Sequence, residues 1–200
     1  MVVRATETWI RAGKSLAWVL LLGLFSCGQD QGIVGVLLPL QGDAMGEWAL
    51  DAERAFQLAY SEMNESSRPE HLVVGTDGSP ASTVEGFNLL VASGANVVIG
   101  PLGTGDAVAA ANVARRAGVP LVTPAATGAG VTEGNDWAFR FCYTDVEVGD
   151  ALATFARKDL GVTRMAVVVD QNLAYAVGLS DAFMRSFTKK RGIVLEEIGF

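Results

Sequence analysis

Short runs of apolar residues alternate along this chain with longer segments in which apolar residues recur at helical spacing. The short runs predict buried strands over residues 32–38, 71–75, 97–99 and 119–122. The longer segments predict helices over residues 47–64, 81–93 and 106–117. Continuous apolar strands that alternate with helices are typical of an α/β fold. We therefore predict a doubly wound parallel sheet that is covered by helices on both faces.

The first predicted helix has an apolar stripe that we expect to face the sheet. Its members recur at helical spacing, and they are Trp48, Ala52, Ala55, Phe56, Ala59, Tyr60 and Met63. Aromatic and methionine side chains in such a stripe form part of a core more often than they bind a cofactor. We predict that the stripe is core.

A second series of elements follows an apolar, strand-like run at 139–143. Helical spacing predicts helices over 148–158 and 175–191, and apolar runs predict strands over 164–170 and 193–200. Two strands and two helices do not make a self-sufficient doubly wound domain. We therefore expect a first lobe at 33–145, followed by the start of a second, similar lobe at 146–200.

Two loops at the ends of neighbouring strands predict a binding site for a small anion. The glycines of 100–105 and the start of the next helix would direct N–H groups outward from the sheet edge. The loop at 123–128 (TPAATG) follows the next strand. In an open α/β sheet, ligands bind at the carboxyl ends of the strands. We expect the hydroxyls of Thr104 and Thr127 to face one cleft there.

The glycine spacing disfavours the common nucleotide-binding loops. Gly100 and Gly105 have the spacing of a P-loop, but Asp106 and Ala107 stand where Lys and Ser or Thr are required. The glycine order also differs from the dinucleotide fingerprint G-x-G-x-x-G. A small carboxylate needs fewer donors than a triphosphate, and it is the ligand that we predict. The alternative is that the glycines only make a tight turn.

Few residues in the chain could carry catalysis or bind a metal. His71 is the only histidine, and the two cysteines are Cys27 and Cys142. They form no Cys/His cluster with metal-ligand spacing, and Cys142 lies in an apolar run where we expect a buried, inert thiol. The sequence therefore predicts neither an enzyme nor a metal or other cofactor.

The amino terminus has the three parts of an export signal. Arg4, Arg11 and Lys14 precede the apolar segment 16–25 (LAWVLLLGLF), which is short for a membrane span. The sequence 24–27 (LFSC) then resembles the lipobox of bacterial lipoproteins, in which the cysteine is acylated. We expect a signal peptide at 1–26, a lipid anchor on Cys27 and a linker at 27–32. The alternative is an ordinary signal peptide, or an anchor helix, with an incidental cysteine.

The charge balance disfavours nucleic acids and anionic membranes as partners. The chain has a net charge of −7, and without the leader 12 basic and 21 acidic residues remain. The mature net charge is then −9, which would repel polyanions.

From residue 33 to residue 200 the chain resembles the type 1 periplasmic solute-binding proteins of ABC transporters, in particular their leucine/isoleucine/valine-binding branch. The motifs that carry this likeness are 34–42 (VGVLLPLQG), Gly46, Asp77, 99–101 (IGP) with Thr104, 118–127 (GVPLVTPAAT), 131–134 (VTEG), 139–140 (FR) with Asp145 and Gly149, 167–170 (VVVD), 174–175 (AY) and 178–179 (GL).

The resemblance implies a role for each site residue. Thr104 and Thr127 would bind the α-carboxylate of an amino acid, together with N–H groups of their loops, to which Gly105 and Ala126 belong. The Ala125 carbonyl would accept from the α-ammonium, Tyr175 would close over the ligand from the second lobe, and Met45 would supply an apolar wall. The chain departs from the family pattern in two places. Ala176 replaces a glycine, and the acidic residue that usually anchors the ammonium would lie beyond Phe200.

The same resemblance implies a lipid-anchored, extracytoplasmic protein that captures a branched-chain or similar amino acid for an ABC permease. Its place would be the bacterial periplasm or the cell surface. Three alternatives stay open: an extracytoplasmic amino-acid or amide sensor, an enzyme, and a non-functional truncated fragment. Neighbouring permease and ATPase genes would favour transport, whereas turnover of a bound solute would favour an enzyme.

Substitution of the lipobox cysteine tests the predicted anchor. We expect the Cys27→Ser chain to stay unprocessed or to be released in soluble form, because the acyl acceptor is gone. Metabolic labelling with palmitate, followed by fractionation, measures this. Equal labelling of the wild-type and Cys27→Ser chains would show that the lipoprotein prediction is wrong.

Overall fold

Five parallel strands form the larger sheet of the computed structural model, which describes residues 32–41 and 46–200. In chain order the strands are β1 (Ile33–Leu38), β2 (Glu70–Gly75), β3 (Val97–Ile99), β4 (Leu121–Thr123) and β5 (Ala138–Arg140). Their order across the sheet is β2-β1-β3-β4-β5, and every neighbouring pair is parallel. The predicted Cys27 anchor, the leader and Met45 lie outside the described residues.

Helices pack on both faces of this sheet, as the strand pattern predicted. They are α1 (Gly46–Glu62), α2 (Pro80–Ala92) and α3 (Thr104–Ala117). Leu37 of β1 packs with α2 and α3, whereas its neighbours Val36 and Leu38 pack with Ala49 of α1. Since successive side chains of a strand point to opposite faces, β1 is buried on both sides. The predicted α/β fold with a parallel sheet is confirmed.

The face that α1 turns toward the sheet differs from the predicted stripe. Ala49 is fully buried and Ala52 and Phe56 pack beside it, but Trp48 is 70% exposed. Ala55, Ala59 and Met63 are also exposed. The prediction placed the large Trp48 side chain on the buried face. Because α1 has alanines on two neighbouring faces, either face could pack against the sheet. The face with Ala49 is the one that is buried, and its small side chain allows the helix to lie close to the sheet.

A second group of elements completes the described chain. It consists of α4 (Asp145–Thr154), which continues as a π-helical turn (Phe155–Asp159), then β6 (Arg164–Val169), α5 (Ala174–Lys189) and β7 (Ile193–Gly199). The last two strands form a separate parallel pair. A Cβ added to Gly149 of α4 would lie 2.7 Å from the backbone N of Phe183 in α5, so only glycine allows these helices to pack so closely.

Several apolar side chains of the smaller sheet are exposed, and they are Val168, Ile193, Leu195 and Ile198. Residues 32–200 make one compact unit, and the predicted division into lobes at 33–145 and 146–200 stays a prediction. Within the described residues, no helix combines the length and the apolar character needed to cross a bilayer.

Gly100, directly after β3, permits a close backbone contact that no other residue could make. Its φ is +99°, and a Cβ there would lie 2.0 Å from the Leu37 carbonyl oxygen of β1. Gly134 also has a positive φ, of +61°, but a Cβ there would meet nothing within 4 Å. Alanine at Gly134 would therefore introduce backbone strain alone, whereas alanine at Gly100 would introduce both strain and a steric clash.

We expect Gly100→Ala to destabilise the protein much more than Gly134→Ala does. The control substitution should cost about 1–2 kcal/mol of unfolding free energy, the usual cost of an L residue in a left-handed conformation. Gly100→Ala should cost at least about 3 kcal/mol, because the carbonyl of Leu37 must also move. Urea unfolding followed by circular dichroism measures both. Equal losses would contradict the clash.

Candidate functional site

The loops that follow β3 and β4 lie side by side at the carboxyl edge of the larger sheet. Their strands are direct neighbours, with Ile99 opposite Val122. The backbone N–H of Gly128 in the second loop donates to Thr104 Oγ1 at the start of α3, at 3.3 Å. The structure therefore joins the two predicted threonine-bearing loops into one site.

Thr123, the last residue of β4, ties the loops together a second time. Its buried hydroxyl donates to the Pro101 carbonyl at 2.7 Å and accepts from the Ala126 N–H at 3.2 Å. Each loop therefore depends on the other for its conformation. Sequence reasoning assigned no role to the Thr123 side chain.

Both predicted threonine hydroxyls retain bonding capacity for a ligand. Thr104 Oγ1 accepts from Gly128, which leaves its hydroxyl proton available to an acceptor. Thr127 Oγ1 is buried, and no described residue forms a hydrogen bond with it. Buried polar atoms normally have partners, so an unpaired hydroxyl at this position favours a site where a bound molecule supplies one.

Arg140, at the end of β5, forms hydrogen bonds with the backbone carbonyls of the second loop. Its Nη1 donates to the Thr127 carbonyl at 2.6 Å and to the Ala126 carbonyl at 3.3 Å. Its Nη2 donates to the Gly128 carbonyl at 2.9 Å and to Thr132 Oγ1 at 2.8 Å. Sequence reasoning missed this contact. The available signal was one cation within the otherwise apolar run 139–143.

The amino termini of three helices meet at these loops. A Cβ on Gly105, in the first turn of α3, would lie 3.9 Å from Ala174 Cβ at the start of α5. The Asp145 N–H, at the start of α4, donates to the Thr127 carbonyl at 3.0 Å. Helix amino termini carry partial positive charge, and together they favour an anion.

A buried carboxylate stands next to this positive region. Asp145 is only 3% exposed, and neither of its carboxylate oxygens has a hydrogen-bond partner among the described residues. Its Oδ2 packs against Gly178 of α5, where a Cβ would come within 2.6 Å. The site therefore includes a buried carboxyl group without a hydrogen-bond partner in the described part of the chain, on a residue whose backbone N–H donates to the Thr127 carbonyl.

The remaining predicted residues lie in different surroundings. Ala125 is exposed and Ala126 is buried, and the Ala126 carbonyl accepts from Arg140 and, at 3.5 Å, from Cys142 Sγ. Burial raises the pKa of the half-buried Cys142 thiol, which favours the unreactive form. Tyr175 lies in the first turn of α5. It lines a cavity of about 370 Å³ with Val169, Leu179 and Phe183 that does not include Thr104 or Thr127.

In the first turn of α3, Asp106 is buried beside the loops, and two causes raise its pKa to about 6. Burial makes the charged form unfavourable, and the negative charge of Asp77 adds to the effect. Among the described residues, no group of three or more His, Cys, Asp or Glu side chains could hold a metal ion.

Comparison with known proteins places the whole described fold in one family. The family model described as "Periplasmic binding protein" matches residues 33–200. The Leu/Ile/Val-binding protein homolog 3 of Brucella melitensis is 30% identical over 184 residues, which is 88% of this chain and 49% of that protein. The chain spans about half the length of the curated relatives it matches.

Two solved structures show the same fold. A leucine-binding protein, LivK, from Thermotoga maritima superposes with a TM-score of 0.79 and 28% identity over 84% of this chain and 49% of its own. The branched-chain amino acid transporter substrate-binding protein LivJ of Streptococcus pneumoniae, solved with isoleucine, gives a TM-score of 0.75 and 25% identity. This second match also covers 84% of this chain and 49% of the other.

The pKa of Asp106 predicts a pH-dependent difference in stability between the wild type and Asp106→Asn. The folded wild type binds the Asp106 proton more tightly than the unfolded chain does, so this carboxyl favours folding at low pH. That contribution is lost as the pH rises from about 4 to about 6. Above pH 6 we therefore expect Asp106→Asn to melt at a higher temperature than the wild type, and the difference should shrink toward pH 4.

Thermal melts between pH 4 and pH 8 measure this, with Asp136→Asn as the control because Asp136 is exposed. A Tm difference for Asp106→Asn that stays constant across this range would contradict the assignment.

Proposed function

Because this chain belongs to the periplasmic binding protein family, within its type 1 leucine/isoleucine/valine-binding branch, we propose that it binds an amino acid outside the cytoplasm for an ABC transporter. A branched-chain or related amino acid is the proposed ligand. The observation that carries this proposal is the pair of tied loops, whose free hydroxyl and N–H groups lie where three helix amino termini meet.

In this proposal the α-carboxylate binds between the two loops. Thr104 donates its hydroxyl proton, and Thr127 contributes the hydroxyl that has no partner among the described residues. The N–H groups near Gly105 add donors at the start of α3. Hydrogen bonds to a charged acceptor are about twice as strong as those between neutral groups, so a few donors can hold the carboxylate.

The α-ammonium needs acceptors and a negative charge close to the carboxylate subsite. The Ala125 carbonyl is the proposed acceptor, and the proposed source of negative charge is the buried carboxylate of Asp145, a residue that contacts Thr127 through its backbone N–H. A simple carboxylic acid would gain nothing from Asp145 and would be repelled by it. The combination favours a zwitterion, which agrees with the relatives named for leucine, isoleucine and valine.

Binding and release are the whole mechanism in this proposal, because the members of the family to which the chain is similar are solute-binding proteins. The first group of elements would hold the ligand's polar end, Met45 would supply an apolar wall for the ligand's side chain, and Tyr175 would close over the ligand from the second lobe. The closed form would then be the one that a membrane permease recognises. Acylated Cys27 would keep the protein at the membrane surface, outside the cytoplasm.

Hydroxyl-deleting variants of the two threonines test the proposed site. Thr104→Val and Thr127→Val keep the side-chain shape, and we expect each to weaken the binding of L-leucine by about tenfold to a hundredfold. Binding of leucinamide should change much less, because the amide lacks the carboxylate charge. Isothermal titration of the purified protein with both ligands measures the effect.

Serine is the matched control at each of these positions. Thr104→Ser and Thr127→Ser retain the hydroxyl and should stay close to the wild-type affinity. Equal losses for leucine and leucinamide would mean that the threonines only shape the loops. A wild-type protein that binds none of leucine, isoleucine and valine would contradict the proposed function itself.

A further inference from the structure

We propose that Arg140 is a positioning residue for the ligand's carboxylate. It fixes the direction in which the loop 126–128 presents its N–H groups, and it places a positive charge directly behind them. This inference rests on the proposed function, which identifies the loop as the carboxylate subsite. It adds a residue that the predicted ligand contacts do not include.

The contacts of Arg140 are concentrated on one short segment. Three consecutive carbonyls, those of Ala126, Thr127 and Gly128, accept from its guanidinium at 3.3, 2.6 and 2.9 Å. The fourth contact, to Thr132 Oγ1 at 2.8 Å, anchors the same guanidinium on the segment that follows. A planar, five-donor fork suits such a task, and lysine could not form all four bonds.

Orientation of the carbonyls determines orientation of the amides. In a trans peptide the C=O of one residue and the N–H of the next point in opposite directions. The three carbonyls that Arg140 draws toward itself therefore turn the N–H groups of residues 127, 128 and 129 away from it. The N–H of Gly128 agrees with this, because it donates to Thr104 Oγ1 in the first loop.

The charge of Arg140 is not neutralised by an ion pair in the described part of the chain. Glu147 of α4 is engaged elsewhere, since its carboxylate accepts from the N–H and the hydroxyl of Thr144 at 2.8 and 2.9 Å. The Asp145 carboxylate packs against Gly178 and makes no contact with the guanidinium within ion-pair distance. A half-buried, unpaired cation behind the amides strengthens their attraction for an anion.

Arg157 provides a matched comparison. It is also half-buried and also donates to backbone carbonyls, those of Lys190 at 3.1 Å and Val162 at 2.5 Å. These carbonyls belong to the second group of elements and not to the candidate site. Loss of Arg157 therefore reports the cost of removing an arginine that only supports the fold.

The test compares Arg140→Ala, Arg140→Lys and Arg157→Ala by isothermal titration with L-leucine at a temperature where all are folded. We expect Arg140→Ala to weaken binding by about tenfold or more, and Arg157→Ala to stay within about twofold of the wild type. Arg140→Lys should fall between, because it keeps the charge but loses the fork. Millimolar guanidinium ion should recover part of the affinity of Arg140→Ala and none for Arg157→Ala.

Two results from the titration would overturn the inference. One is an Arg140→Ala protein with a lower Tm and an unchanged Kd, since that describes a purely structural arginine. The other is wild-type affinity in Arg140→Lys, since the fork would then be unnecessary.

A second readout needs no bound amino acid. In the ligand-free protein, the amide resonances of Thr127, Gly128 and Ala129 should shift in Arg140→Ala and return toward wild-type positions with guanidinium ion. Unshifted resonances would overturn the inference. This arm separates the two proposals, because a wild type that fails to bind leucine contradicts the proposed function, while the amide shifts still decide the role of Arg140.

Discussion

The candidate site depends on how the loop after β4 satisfies its backbone hydrogen bonds. Once the chain leaves the sheet at Thr123, the carbonyls of residues 126–128 have no neighbouring strand to pair with. Arg140 of the adjacent strand β5 donates to these carbonyls instead, and the hydroxyl oxygens of Thr123 and Thr104 accept from two of the loop's N–H groups. Buried backbone polar groups must find partners, so this pairing fixes the loop in one conformation. The direction of its remaining donors follows from the carbonyls already used.

Groups of both positive and negative charge lie around this loop. Helix amino termini and the unpaired Arg140 favour an anion, while the buried Asp145 carboxylate belongs to a residue whose backbone N–H donates to the Thr127 carbonyl. A ligand with a single charge would satisfy one part and be repelled by the other. The α-amino acid proposed as the ligand carries its carboxylate and ammonium groups on the same carbon, and its zwitterion would suit this arrangement better than a simple acid or amine would.

Sequence patterns predicted those parts of the fold that depend on neighbouring residues. Strand–helix alternation gave the parallel sheet, and the glycine spacing after β3 located the loop where Thr104 begins a helix. The roles of Arg140, Thr123 and Asp145 escaped prediction because they depend on which strand or helix lies beside each residue. The prediction of the buried face of α1 was wrong for a related reason. Because α1 has alanines on two faces, its contacts with the sheet determine which face is buried, and in the structure Ala49 is buried and Trp48 is exposed.

Several buried polar atoms at the site have no hydrogen-bond partner within the described chain, which lowers the stability of the free protein. Thr127 Oγ1 and both Asp145 oxygens are buried without partners among the described residues, and an unsatisfied buried hydroxyl such as that of Thr127 costs about 1–3 kcal/mol. Valine at 127 would remove that cost and keep the shape. Gly178 is needed to accommodate Asp145 and gives up helix propensity at the same time. Both costs fall on residues that belong to the loop after β4 or to the helices beside it. A ligand that donates to Asp145 and accepts from Thr127 would offset them on binding, and the stability given up in the free protein would then contribute to affinity.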